Sequence, residues 1–304
     1  MASARRHGQR LMDFSVFSEG DFVYIPVKDD AQIEGIESVR TKGKQRESLA
    51  RPQKVSGSFD AIGSIAIIKT KDRDSALRLA KSILEDNRGI RSVYMDTGIS
   101  GEYRLRNLLL VSGEENRRAI HRENGVEMIV DLETVYFSPR LATERLLLSK
   151  KVKDGEKILD MFCGVGPFSL TIAKYHSCEV SAIDKNPTAI QLLNENIKHN
   201  RLIGTIHPIL GDAAAVVPGM KGFDRILMNL PESSGDYLQL ASSALKEGGL
   251  INYYENMKVE NLEERMESMR EEGFDLVSKR QVHSLSKTEF MFSLELKKRT
   301  GKIN

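Results

Sequence analysis

At 304 residues, 40% hydrophobic and 29% charged, the chain has the composition of a globular protein with room for about two domains of ~150 residues each. It offers no run of the roughly 18–20 apolar residues that span a bilayer, and its basic start leads into no apolar segment with a cleavage site, so neither a membrane span nor a signal peptide is expected and a cytoplasmic location is the default. Two cysteines exclude a disulfide framework or a four-thiolate site, the six histidines form no HExxH, and no metal is expected; a net charge of +2 leaves the partner open.

In chain order, FSVFSEGDFVYIPV (Phe14 to Val27) is β-rich, with a turn at Glu19-Gly20. The segment Arg40 to Lys54 then holds six Lys/Arg against one Glu, and Arg5, Arg6 and Arg10 form a second basic cluster. Such segments suit phosphate contact and a solvated linker equally well. From Phe59 the pattern is a strand (AIGSIAIIK) and an amphipathic helix (DSALRLAKSILEDN). Asp74 or Ser75 can cap that helix, with Leu77, Ala80, Ile83 and Leu84 on one face. Strands SVYMD, YRLRNLLLVSG and GVEMIVDLETVYFS follow, which reads as a small α+β domain. Ser138-Pro139 marks its end, and Leu141 to Lys150 look helical.

After Gly155 strands and helices alternate strictly. KILDMF leads to PFSLTIAKYH, and EVSAID to PTAIQLLNENIKHN, a helix opened by Pro187. TIHPILGD and FDRILMNLP are strands, and YLQLASSALKEG is a helix ending at Gly248-Gly249. LINYYEN, a helix from Val259 to Glu272, and two β runs (FDLVSKRQVHS, EFMFSLELKK) complete the chain. The expected fold class is α/β: a Rossmann-like, doubly wound, mostly parallel sheet with ligands at the carboxyl ends of its strands. The expected domains are 1–55 (short N-terminal block and basic linker), 56–137 (α+β) and 138–304 (catalytic).

The glycine turn in ILDMFCGVGPFSLTIAK (Ile158 to Lys174) lacks the Gly-Lys-Ser/Thr of a P-loop. It is also a poor dinucleotide fingerprint, because Ser169 takes the third glycine position and Pro167 intervenes. Asp184 ends the second strand about 20 residues on, where an acid can accept both ribose hydroxyls. Asp212 ends the third, where it can accept from an adenine amine, and Asn229 ends the fourth. Four such pieces on four successive strand ends resemble the class I methyltransferase fold, which uses S-adenosylmethionine. Asp160, Gly164 and Gly166 would then meet its methionine end. Cys163 reads as packing, since direct transfer from a sulfonium needs no covalent enzyme intermediate.

Asn229-Leu230-Pro231 narrows the acceptor. Enzymes that methylate exocyclic base amines carry Asn/Asp-Pro-Pro followed by an aromatic residue; here Leu230 replaces the first proline and Glu232 the aromatic. A ring nitrogen is the better candidate. VYFSPRLATER, LDMFCGVGPFSL, AIDKNP and MNLP, in that order, resemble the archaeal and eukaryotic family of tRNA (guanine-37) N1-methyltransferases. The likeness continues upstream through GEYRLRNLLLVSGEENRRAIHRENG, and so covers roughly residues 57 to 297.

The resemblance implies a catalytic domain preceded by an α+β domain and a small N-terminal domain that contacts the tRNA corner; that last block is short here. It implies Glu144 as general base and Arg104 as the group stabilising guanine O6. Asn229 and Pro231 would hold the guanine edge, with Tyr136 flanking the pocket. Arg145, Phe162, Asp184, Lys185, Asp212, Ala213 and Asn229 match cofactor-contacting positions, and a monomer is the family state. Without the resemblance, Glu144-Arg145 would be ordinary charge at a helix start, Arg104 a surface partner for Glu102, and Tyr136 core. The alternative is a wyosine-pathway enzyme acting on tRNA position 37, by methylation of a tricyclic precursor or by aminocarboxypropyl transfer. The transfer subfamily typically lacks the Arg-Leu-x-x-Glu run of Arg140 to Glu144. A non-catalytic RNA-binding protein has no use for Glu144, Arg104 and Asn229 together.

Overall fold

The computed structural model describes residues 17–19, 22–25, 27, 39, 57–70 and 72–300. The basic cluster of Arg5, Arg6 and Arg10 and the Arg40–Lys54 linker lie outside the described residues. Met1–Lys54 and Val55–Asn304 are two separate units. In the first, β1 (Phe17–Glu19) pairs antiparallel with β2 (Phe22–Tyr24), the strand pair read from the sequence.

The second unit opens with β3 (Phe59–Ile62) and β4 (Ile65–Ile68), then α1 (Arg73–Asp86), β5 (Ser92–Ser100) and β6 (Leu105–Gly113). These strands form a sheet in the order β3-β4-β5-β6, with α1 as the crossover between parallel β4 and β5. The cap of α1 is Asp72, whose Oδ1 accepts the Ser75 N–H at 2.8 Å, so the helix starts ahead of the expected Asp74 or Ser75. Its buried stripe is Ala76, Leu79, Ala80 and Ile83, and Leu77 faces solvent. Two overlapping i, i+3, i+4 stripes are available in this segment. The sheet selects the one with small alanines at the close approach.

One expected strand, Gly125 to Ser138, is in fact half of a hairpin. β7 (Arg118–Glu123) pairs with β8 (Val126–Asp131). Between them Asn124 and Gly125 both have left-handed backbone, φ 47° and 72°, as the tightest hairpin turn requires. The Asn-Gly pair was legible in the sequence and carries that meaning. The hairpin is fastened to α4 (Pro187–His199) by side-chain amides: Asn196 Oδ1 accepts the Ile129 N–H at 2.7 Å and Asn200 Oδ1 accepts the Glu127 N–H at 2.9 Å.

The large sheet is built from β9 (Lys157–Asp160), β10 (Glu179–Asp184), β11 (Thr205–Leu210), β12 (Phe223–Met228), β13 (Leu245–Lys258), β14 (Phe274–Ser284) and β15 (Glu289–Lys298). Its order is β11-β10-β9-β12-β13-β15-β14. β9 to β13 run parallel, and β15 is antiparallel to both of its neighbours. The remaining helices are α2 (Ala142–Ser149), α3 (Pro167–Tyr175), α5 (Ala213–Val216), α6 (Leu238–Ala244) and α7 (Leu262–Glu271). Strand residues alternate between two cores. Ile158, Ala182 and Leu227 meet α3 and α4, whereas Leu159, Ile183, Ile226 and Met228 meet α6 and α7. Both faces are therefore covered, as a parallel sheet requires.

Two expected helix ends move. α6 stops at Ala244, and Lys246 to Gly249 join β13 where its register against β12 shifts. Val259–Asn261 form a 3₁₀ turn ahead of α7. The chain reverses its direction of strand addition between β9 and β12, and a ligand crevice opens at the carboxyl ends of strands around such a reversal.

Candidate active site

A cleft of about 670 Å³ lies at that reversal. One wall is made by the ends of β9, β10 and β11, where Phe162, Gly164, Asp184, Lys185, Asp212 and Ala213 line it. Asp184 organises this wall. Its carboxylate accepts the Gly164 N–H at 2.7 Å and the Asn186 N–H at 2.9 Å, and burial raises its pKa. A Cβ on Gly164 (φ 54°) would meet no atom within 4 Å, so that face of the turn is open. Gly166 (φ 87°) differs: a Cβ there would lie 2.3 Å from Leu193 Cδ1. It does not line the cleft, and its smallness lets α3 start against α4. Asp212 Oδ1 caps the short α5 by accepting the Ala214 N–H at 2.7 Å. Lys185 pairs with Glu102 at 3.1 Å.

Asp160 is also behind the wall. It is 1% exposed, one oxygen accepts from Ser169 Oγ at 2.7 Å, and Oδ1 has no partner. Burial pushes its carboxyl up to about 7. The folded chain therefore binds this proton more tightly than the unfolded chain. The contribution of this carboxyl to stability is fully present below about pH 4 and is lost, by on the order of a few kcal/mol, as pH rises to about 7. Thermal melts across this window should show a midpoint that drops further in the wild type than in Asp160→Asn; parallel curves would refute this.

Cys163 is buried at the turn, and burial pushes its thiol well above the ordinary value. A thiol kept protonated is a poor nucleophile. Cys163→Ala should retain most of its turnover; a folded but inactive variant would overturn that reading.

The other wall follows β12. Asn229 and Pro231 line the cleft. The turn that carries them is pinned by Ser234 Oγ donating to Leu230 O at 2.9 Å and by the Asn256 N–H donating to Pro231 O at 2.9 Å. Asn229 Oδ1 is buried without a partner. Arg104, in a turn with φ 57°, reaches across to Glu232, not to Glu102. Tyr136 lines the cleft and is 39% exposed, with the Arg106 guanidinium 5.4 Å from its ring centre. It is a wall residue, not core. Arg145 lines the cleft too, with its charge matched by Glu123 through two bonds at 2.5 and 2.7 Å.

Glu144 is the residue the structure sets apart. It sits in the first turn of α2, is 5% exposed, and does not line the cleft. Tyr254 Oη donates to it at 3.1 Å, and it forms an ion pair with Arg280. Neither partner carried a sequence signal, since both lie on strands far along the chain. The ion pairs along the cleft edge carry no sequence signal either: Arg106 pairs with Asp96 at 3.1 Å, and Arg140, known from its motif, pairs with Asp60 at 2.7 Å. Among the described residues no group of three His, Cys, Asp or Glu is placed to hold a metal, and no helix is long and apolar enough to cross a membrane.

Residues 119–278 match the model of the TRM5/TYW2 methyltransferase domain. The tRNA (guanine(37)-N(1))-methyltransferase Trm5b of Pyrococcus abyssi is 41% identical over 256 residues, 79% of this chain and 76% of that protein. Its crystal structure matches with a TM-score of 0.79 at 34% identity, covering 98% of this chain and 94% of that one. A solved complex of aTrm5 with tRNALeu matches with a TM-score of 0.79 at 28% identity, covering 98% and 96%. A tRNA(Phe) (4-demethylwyosine(37)-C(7)) aminocarboxypropyltransferase of Methanocaldococcus jannaschii is 31% identical over 209 residues, 68% of this chain and 81% of that protein.

Proposed function

Because the chain belongs to the TRM5/TYW2 methyltransferase family, we propose that it transfers the methyl group of S-adenosylmethionine to N1 of guanosine 37 in tRNA. The observation that carries this reading is one cleft lined on one side by Gly164, Asp184 and Asp212 and on the other by Arg104, Asn229 and Pro231. The methyltransferase relative is the more identical, at 41% against 31% for the aminocarboxypropyltransferase.

The residues fit the cofactor. Asn229 Oδ1, in the cleft lining, is a buried acceptor without a partner, which suits a cationic amine; Asp160 Oδ1 is also unpartnered but lies behind the Gly164 turn. The open face of Gly164 admits a ligand against the backbone. Asp184 would accept the ribose hydroxyls and Asp212 the adenine amine, with Phe162, Lys185, Ala213 and Arg145 around them. When bound, S-adenosylmethionine supplies an electrophilic methyl group on a sulfonium.

The chain's own residues position the base and move one proton. Asn229 and the backbone at Pro231 orient the guanine edge, and Tyr136 flanks the ring. Arg104 donates to O6 as negative charge develops there. Glu144 takes the N1 proton. Reaching it requires that the Glu144 side chain exchange Arg280 for the base.

Of the cations lining the cleft, Lys69 and Arg140 have exposed side chains that suit a polyanionic partner, whereas Arg106 is buried against Asp60 and Asp96. The proposal extends to a monomeric, cytoplasmic protein, with residues 1–55 contacting the tRNA corner, 56–137 carrying Arg104 and Tyr136, and 138–304 as catalytic domain. Purified protein, S-adenosylmethionine and a tRNA with guanosine 37 should yield 1-methylguanosine by nucleoside mass spectrometry. An aminocarboxypropyl adduct, or methyl on an exocyclic amine, would refute it.

A further inference from the structure

Resting on the methyl-transfer reading above, we propose that Glu232 is a positioning residue that aims Arg104 at the carbonyl oxygen of the target base. Its two carboxylate oxygens accept from Nη1 and Nη2 of Arg104, the latter at 2.5 Å. That pairing uses the end of the guanidinium fork. A guanidinium has five N–H donors. The side of the fork, Nε–H with an outer Nη–H, has no partner among the described residues. One arginine can therefore hold Glu232 and donate to a second acceptor at once. Both residues line the cleft, so that acceptor can be a bound ligand.

Stability does not explain the pair. The Glu232 side chain is 55% exposed and that of Arg104 is 29% exposed, a setting in which ion pairs contribute little. Arg104 meanwhile holds a left-handed backbone, which is unfavourable for any residue with a Cβ. The turn is tied at a second point, where Glu102 meets Lys185 at 3.1 Å at the end of β10. Gly101 to Arg104 thus bridges the ends of β10 and β12. Arg104 is fixed at its backbone by this turn and at its head by Glu232. The pair also holds Glu232 ionised, its carboxyl lowered by the Arg104 hydrogen bonds. Amine-methylating enzymes place a stacking ring at this position; a carboxylate there places a guanidinium instead.

The test is single-turnover methylation of a tRNA transcript with guanosine 37 at saturating S-adenosylmethionine. Wild type is compared with Glu232→Ala, Glu232→Gln, Arg104→Ala and the Glu232→Ala/Arg104→Ala double variant. Glu232→Ala should slow the rate by roughly 10- to 100-fold, with Glu232→Gln in between. Its KM for tRNA should stay within about twofold of wild type. The double variant should be no slower than Arg104→Ala alone, since removing the aimed group makes the aiming group irrelevant. Both alanine variants should shift the rise of rate with pH to higher pH, because the N1 proton is harder to remove without a placed guanidinium. Additive losses in the double variant, or Glu232→Ala as fast as wild type, overturn the inference. If the alanine variant fails to fold, Glu232→Gln carries the same comparison. A wild type that forms no 1-methylguanosine sinks the methyl-transfer reading itself; an active wild type with an unaffected Glu232→Ala sinks only the role of Glu232.

Discussion

Glu144→Gln is expected to slow methylation of guanosine 37 by roughly 10²- to 10⁴-fold, the range for removing a general base. The N1 proton of guanine must leave as the methyl arrives, and glutamine cannot take it. The substitution is nearly isosteric and keeps an oxygen to accept from Tyr254 Oη, 3.1 Å from Glu144 in the native site. It does remove the charge opposite Arg280, in a position only 5% exposed. The thermal midpoint and the affinity for S-adenosylmethionine are measured alongside the rate, to separate a loss of chemistry from a loss of stability. A folded, cofactor-binding variant within about threefold of wild type would remove Glu144 from the mechanism.

Arg104→Ala should cost roughly 10²- to 10³-fold, the scale of losing one donor to a developing oxyanion. The loss belongs in the chemical step, so single-turnover rates should fall while KM for tRNA changes little. Arg104→Lys should recover little of it. Lysine cannot span both oxygens of Glu232 while donating elsewhere from a planar fork. A variant whose only defect is a raised KM for tRNA would make Arg104 a binding residue and not part of the chemistry.

Much of the large sheet and its helices was legible because their signals are local. Alternating apolar strands and 3.6-period helices mark β9 to β13 and the helices between them. Pro187 at the start of α4 and the left-handed glycines of the turn after β9 obey the same backbone sterics in a peptide as in the fold. The errors fall where two local readings compete. The stripe of α1 was displaced because Leu77 and Ala76 both fit a helical period, and only the sheet decides between them. The β7 half of the β7–β8 hairpin is absent from the sequence reading, which starts its strand at Gly125, although Asn124-Gly125 announces a turn there.

The site divides along the same line. By itself the sequence determined which residue types stand at the strand ends: Asp160, Asp184, Asp212 and Asn229, each at a fixed offset from a recognisable strand. Tertiary structure alone decided which of them face the cleft and what each polar group meets. Arg104 finds Glu232 from 128 positions away, and Glu144 finds Tyr254 from 110. Asp160 and Gly166, which share the turn's sequence with Gly164, end up behind the wall that Gly164 lines. Hydrophobic periodicity is written along the chain because burial acts on every residue of an element. A charge pair between two turns leaves no period, so its partners become known only when the sheet brings the turns together.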